Sequence, residues 1–116
     1  MTDKEVSTLI KILKAHYPYW YKDVTMDEAK LIIEVWKRQF KDIDYELMEK
    51  VVYKWGETKE KPPSIAELKG SIFGLHDEYS RRYSELMKDK NARPEEIERI
   101  RRLKNQAWSC MNASRR

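Results

Sequence analysis

Apolar residues along this chain recur at spacings of three and four, broken at intervals by proline or by short charged stretches, so the pattern predicts helices from end to end. Thr2 with Glu5 has the spacing of a capping box. Val6, Leu9, Ile10 and Leu13 follow on one stripe, which predicts a first helix to about His16, ended by Pro18. A second capping box, Thr25 with Glu28, opens the most clearly amphipathic segment, with Ala29, Ile32, Ile33, Trp36 and Phe40 on a single face. Asp42 or Asp44 caps a third helix that carries Leu47, Met48, Val51, Val52 and Trp55. Gly56 and the charged loop to Lys61 end it.

Pro62 and Pro63 cannot continue a helix, and Ser64 with Glu67 forms a third capping box immediately after them, so a rigid corner separates the third helix from the fourth. Ile65, Leu68, Ile72, Leu75 and Tyr79 alternate in threes and fours as a packing seam. Arg82 then occupies the next seam position, while Tyr83, Leu86 and Met87 extend a partly apolar face, which predicts one long helix to Lys88. Gly70 and Gly74 share a face of it and require a close neighbour or a bend, the latter a hinge for the distal half. Asn91-Ala92-Arg93-Pro94 breaks the chain. Pro94-Glu95-Glu96 is a favourable first turn for a last helix with a narrow apolar face of Ile97, Ile100, Leu103 and Ala107. The fold class is therefore all-α: a small bundle of four helices, the fourth long, with a basic C-terminal helix or partly disordered tail.

Composition agrees. Charged residues make up 38% and hydrophobic ones 41%, with only 3 Gly and 4 Pro, a balance that favours helix over turn-rich architectures. At 116 residues the chain supports one modest core. No apolar run approaches the ~20 residues that span a bilayer, and Met1-Thr2-Asp3-Lys4-Glu5 has no signal-peptide pattern, so a soluble, cytoplasmic protein is expected. Charge divides the chain near residue 80. Residues 79–116 hold 11 Lys and Arg against 5 Asp and Glu, and the other 78 residues hold 13 against 15. This division suggests a bundle domain over 1–80 and a basic, partly flexible tail over 81–116 for partner binding. Arg99, Arg101, Arg102, Lys104, Arg115 and Arg116 dominate the tail, where they suit phosphates, an acidic protein surface or plain solvation. Trp108 adds an apolar anchor fit for a partner's groove, unless it folds back on the core.

Tyr17-Pro18-Tyr19-Trp20-Tyr21-Lys22 places four aromatic rings in the link between helices one and two. Rings beside lysine can stack on unpaired bases. In so small a bundle the link must also cover the open end of the core, which takes two or three of the rings and leaves one or two outside. Trp36, Phe40 and Trp55 lie on apolar stripes and read as core. Catalytic patterns are missing: His16 and His76 are not at metal-ligand spacing, there is no glycine-rich phosphate loop, and Cys110 has neither a disulfide partner nor a neighbouring base in sequence. No enzyme, metal or cofactor is expected.

The order Tyr17-Pro18-Tyr19-Trp20, then Trp36 and Phe40, then Asp44-Tyr45-Glu46 with Val51 and Val52, then Pro62-Pro63-Ser64-Ile65-Ala66-Glu67-Leu68-Lys69 resembles the phage-encoded replicative helicase loader/inhibitor family over roughly residues 5 to 75. The resemblance implies a small helical N-terminal domain and a flexible C-terminal part that engages a hexameric DnaB-type helicase, holding it inactive until delivery to the origin. It implies an adaptor with a helicase partner and, besides, an origin-binding or loader protein. The family's helicase contacts lie in a variable region that corresponds here only in position and charge. The assignment of Ile97, Ile100, Leu103 and Trp108 as apolar anchors, and of Arg99, Arg101, Arg102 and Lys104 as charged contacts, therefore rests on physical character. Tyr17, Tyr19, Trp20 and Tyr21 form a possible second surface. Three other readings stand beside this one: an inhibitor of the host's helicase loader, a small basic DNA-binding protein with salt-sensitive affinity, and a module that dimerises through the seam from Ile65 to Tyr79.

Overall fold

The computed structural model describes residues 1–111 and is all-helical there, with α1 Asp3–His16, α2 Met26–Gln39, α3 Tyr45–Thr58, α4 Ile65–Phe73, α5 His76–Lys88 and α6 Pro94–Ser109. Arg115 and Arg116 of the basic tail lie outside the described residues. The helices gather into two compact units, Met1–Leu68 and Lys69–Arg116, that divide within α4. The charge boundary near residue 80 falls inside α5, within the second unit.

In the first unit the three capping boxes form as their spacing requires. The Thr2 hydroxyl accepts the Glu5 N–H at 3.1 Å, and the Glu5 carboxylate accepts the Thr2 N–H at 2.8 Å. Thr25 and Glu28 repeat the exchange at 3.2 and 3.4 Å, and Ser64 and Glu67 at 3.1 and 3.0 Å. Each pair satisfies donors that a helix start leaves without partners. Asp44 takes the N-cap position of α3 but makes no side-chain cap bond. Helix α1 packs on both α2 and α3. Its Val6, Leu9 and Leu13 are fully buried, as are Leu47, Met48, Val51 and Val52 of α3 to within 1%. Each such side chain contributes roughly 1.5–3 kcal/mol. Helix α2 contributes less, since Trp36 is its only buried residue.

Gly56 does not end α3, which continues to Thr58. Its missing side chain serves another purpose, because a Cβ there would lie 2.6 Å from Cγ of His16. The imidazole occupies that space, held by the Ile12 carbonyl at 3.0 Å from Nδ1 and edge-on to Tyr53.

In the second unit the single long fourth helix of the sequence reading is two helices, which with the expected C-terminal helix brings the count to six among the described residues rather than five. Helix α4 stops at Phe73 and α5 starts at His76. The Gly74 N–H still bonds to the Gly70 carbonyl at 3.0 Å, but the Leu75 N–H reaches back only three residues, to Ile72 at 3.1 Å. This tightened turn interrupts the ladder just after Gly74, a residue of poor helix propensity. Ile72, Leu75 and Tyr79 of the seam are buried nonetheless. At the next seam position Arg82 is half-buried, its guanidinium 5.2 Å from the centre of the Tyr79 ring. Helix α6 opens with Arg93 at the N-cap, Pro94 in the first turn and Glu95 and Glu96 behind it, then packs on α5 as a hairpin.

Alanine in a helix is ordinarily about 1 kcal/mol better than glycine. Gly56→Ala is expected to give no such gain, or a loss, in the natural background and to recover it when His16 is also alanine; a double-mutant cycle by denaturant unfolding measures the difference.

Candidate functional site

The link between α1 and α2 is built around a bond that ties distant segments together. The Tyr17 hydroxyl donates to the Lys59 carbonyl at 2.7 Å, with the Trp55 carbonyl at 3.3 Å as a second, longer acceptor. Burial pushes the phenol's pKa up, so the donor keeps its proton throughout the neutral range. The Trp55 indole N–H donates to the Lys61 carbonyl at 2.8 Å. Together these two side chains hold the segment leading into Pro62 and Pro63. Trp20 stacks on Tyr21 at 4.3 Å between ring centres and meets Trp36 edge-on at 6.3 Å. Tyr21 adopts φ 54, the left-handed region, at a cost of about 1–2 kcal/mol for a residue with a side chain. Of the four rings named as a possible second surface, Tyr17, Trp20 and Tyr21 are thus engaged in the first unit, and Tyr19 stands 83% exposed with the Lys22 ammonium 5.7 Å from its centre.

Helix α6 sorts the residues named from its sequence onto different faces. Ile100 and Leu103 are fully buried in the second unit and offer nothing to a partner while the hairpin is closed. They line up with Ala107 and Cys110, also buried, so the apolar stripe is taken up by folding rather than left for docking. Ile97, Arg101, Lys104 and Trp108 fall four, three and four residues apart and share a second stripe beside the buried one. Trp108 is 48% exposed, its indole against His76 at 4.8 Å and Phe73 at 5.6 Å, so it folds back and yet keeps an open edge. Lys104 sits 4.7 Å over the Tyr83 ring. Arg101 binds Glu98 at 2.7 Å, and this bond raises its already high pKa. Arg99, on another face, binds Glu96 through two nitrogens at 2.8 and 3.2 Å and thereby holds that carboxyl below the usual range. Arg102 is exposed.

The sequence reading overlooked a further feature, the face of α2 that carries Leu31 and Val35, exposed to 61% and 39%. The signal was present in the unusual breadth of the helix's apolar positions. No group of three or more His, Cys, Asp or Glu side chains suited to a metal ion occurs among the described residues, and no helix there is long and apolar enough to cross a membrane.

The fold and these surfaces define a small all-helical protein with a tightly capped N-terminal domain followed by a charged helical hairpin. Residues 1–69 match the family described by the N-terminal domain of the helicase loader/inhibitor protein of phage SPP1, and the chain belongs to that family. The match falls on the stretch that carries the Tyr17-to-Lys69 motif order, and the residues of that order are largely those that close the first unit. Among curated proteins and solved structures, nothing matches the chain.

Two measurements probe this arrangement. Tyr17→Phe is expected to cost about 1 kcal/mol of stability through loss of the Lys59 bond, read from the denaturant midpoint. Burial raises the Cys110 thiol's pKa, against smaller lowering effects of Ser109 and Lys69, and the thiolate is the reactive form. A disulfide reagent at pH 8 should therefore modify the folded chain far more slowly than the chain in denaturant, and equal rates would contradict the burial.

Proposed function

We propose that the chain is a phage DNA-replication adaptor that binds a hexameric DnaB-type helicase, restrains its ATPase and unwinding, and helps load it at the origin. The observation that carries this reading is the family match over residues 1–69. The adaptor itself performs no catalytic step and needs no cofactor, and it works in the cytoplasm of the bacterial host. Its first unit serves as the folded platform of the family, and residues from about 81 onward make the helicase contact.

Within that second region the stripe of Ile97, Arg101, Lys104 and Trp108 is the accessible contact in the closed hairpin. An aromatic anchor flanked by cations suits a protein surface with acidic character, where the charges steer encounter and the indole sets the dissociation rate. Arg99 and Arg102 orient the approach from the neighbouring face. Ile100 and Leu103 join the contact only if α6 leaves α5, in which case opening the hairpin reduces the apparent affinity by the fraction of chains that are open. The carboxylates already bound to Arg99 and Arg101 compete with phosphate, which favours a protein partner over DNA.

The full chain is expected to co-elute with the host's replicative helicase and to lower its ATPase rate. Arg101→Glu with Trp108→Ala, both exposed positions, should weaken the complex tenfold or more and restore the ATPase. Absence of a complex with helicase, or capture of the host's loader in its place, would overturn the assignment.

A further inference from the structure

A groove of about 230 Å³ opens between α1 and α2 in the first unit, next to the link that joins them. Its floor is aliphatic, formed by Ile10 of α1, Val24 of the link and Ala29, Ile32 and Ile33 of α2, all of them half-buried. Lys11, Lys14 and Lys22 stand around it, and no acidic side chain is among the described residues that line it. Tyr21 closes one end, in the left-handed conformation already described. Strained backbone of this kind persists where the surroundings over-determine it, and it gathers at sites that bind.

Helix α2 has more apolar surface than its neighbours cover. At about 100° per residue, Ile33, Trp36, Ala29, Ile32, Val35 and Leu31 span an arc of roughly 200°, twice the stripe that seats an ordinary surface helix. Yet Trp36 alone is buried, and Leu31 lies 61% exposed. Within the groove itself, which the exposed Leu31 and Val35 do not line, Lys11 and Lys14 have no ion pair among the described residues. The volume falls below the roughly 300–1,000 Å³ of pockets that enclose small molecules, and its size is that of a socket for one or two side chains.

We propose that this groove is a docking site for an acidic amphipathic helix of a partner protein, whose apolar residues enter the socket between Ile10 and Ile32 while its carboxylates meet Lys11, Lys14 and Lys22. An apolar floor needs an apolar insert, and lysines without an ion pair need carboxylates or phosphates. The aliphatic floor decides between these, because nucleic acid offers it little aliphatic surface and the one aromatic ring that lines the groove, Tyr21, is already stacked on Trp20. A helix fits the elongated gap between two helices, presenting anchors every three or four residues as a third helix would. The site adds a second partner to the adaptor reading but lies wholly within the first unit, and its test contains no helicase, so either can fail alone.

The probe is a fluorescein-labelled peptide of about 15 residues with leucine at helical spacing and glutamate elsewhere, titrated with the full chain and followed by anisotropy. Saturable binding is expected, with amide shifts in the chain's NMR spectrum centred on Ile10–Lys14 and Ala29–Ile33. Lys11→Glu with Lys14→Glu, at exposed positions that leave the core intact, should weaken binding tenfold or more; Ile32→Asp should do the same while helical content is unchanged. Raising the salt should weaken binding, and a peptide with lysine in place of glutamate should not bind. Unsaturable binding, indifference to the lysine changes, equal affinity for the lysine peptide, shifts centred elsewhere or tighter binding to a single-stranded oligonucleotide would each overturn the proposal.

Discussion

The first unit depends on one pair of side chains that hold a loop by its carbonyls. Tyr17, at the end of α1, and Trp55, near the end of α3, bind the backbone of Lys59 and Lys61. Their hydrogen bonds reach across 42 and 6 residues of sequence, so one closes the chain on itself and the other shapes the corner. A buried or half-buried carbonyl left without a partner costs about 1–3 kcal/mol, so these donors do more than decorate the loop. They set where Pro62 and Pro63 turn and therefore where Ser64 can start α4. Pro63 is buried beneath the corner it makes. Tyr17, which could be taken for part of a binding surface, is thereby engaged in closing the domain, while Trp20 packs on Tyr21 and Trp36.

What was legible in the sequence was mostly local. Capping boxes at Thr2, Thr25 and Ser64 announce helix starts because donor and acceptor sit three residues apart and need nothing else. The all-helical class and the core stripes of α1 and α3 followed from the same short-range regularities, and the resemblance carried by the Tyr17-to-Lys69 motif order stood beside them. The errors share a cause. Gly56 reads as a stop and Gly74 as a close contact or a bend within one long helix, because the meaning of a glycine depends on what stands opposite it: an imidazole from another helix in the first case, a tightened turn in the second. Ile100 and Leu103 read as anchors for a partner and are covered in the closed hairpin, since periodicity shows that a face is apolar without showing which neighbour covers it.

The two units differ in how they use their apolar residues. The first unit retains an aliphatic surplus on α2 after its own core is filled. The second consumes the apolar stripe of α6 in its hairpin and leaves outside a row of cations punctuated by Trp108. On the readings proposed above, an exposed apolar surface held by lysines and a basic surface anchored by an indole would recognise through the same two forces, but with opposite emphasis. In the first, burial would dominate and charge orient; in the second, charge would bring the partner in and a single ring retain it.

Gly56 and His16 also bear on how such a chain changes over time. The approach of α1 to α3 is set at this point by the absence of one atom and the presence of one ring. A substitution that adds a Cβ at 56 removes the room for the imidazole, and one that shrinks residue 16 leaves a gap beside a glycine that then has no purpose. A change at either position therefore alters what the other can be, and the spacing of two helices is written in residues that are far apart in the chain.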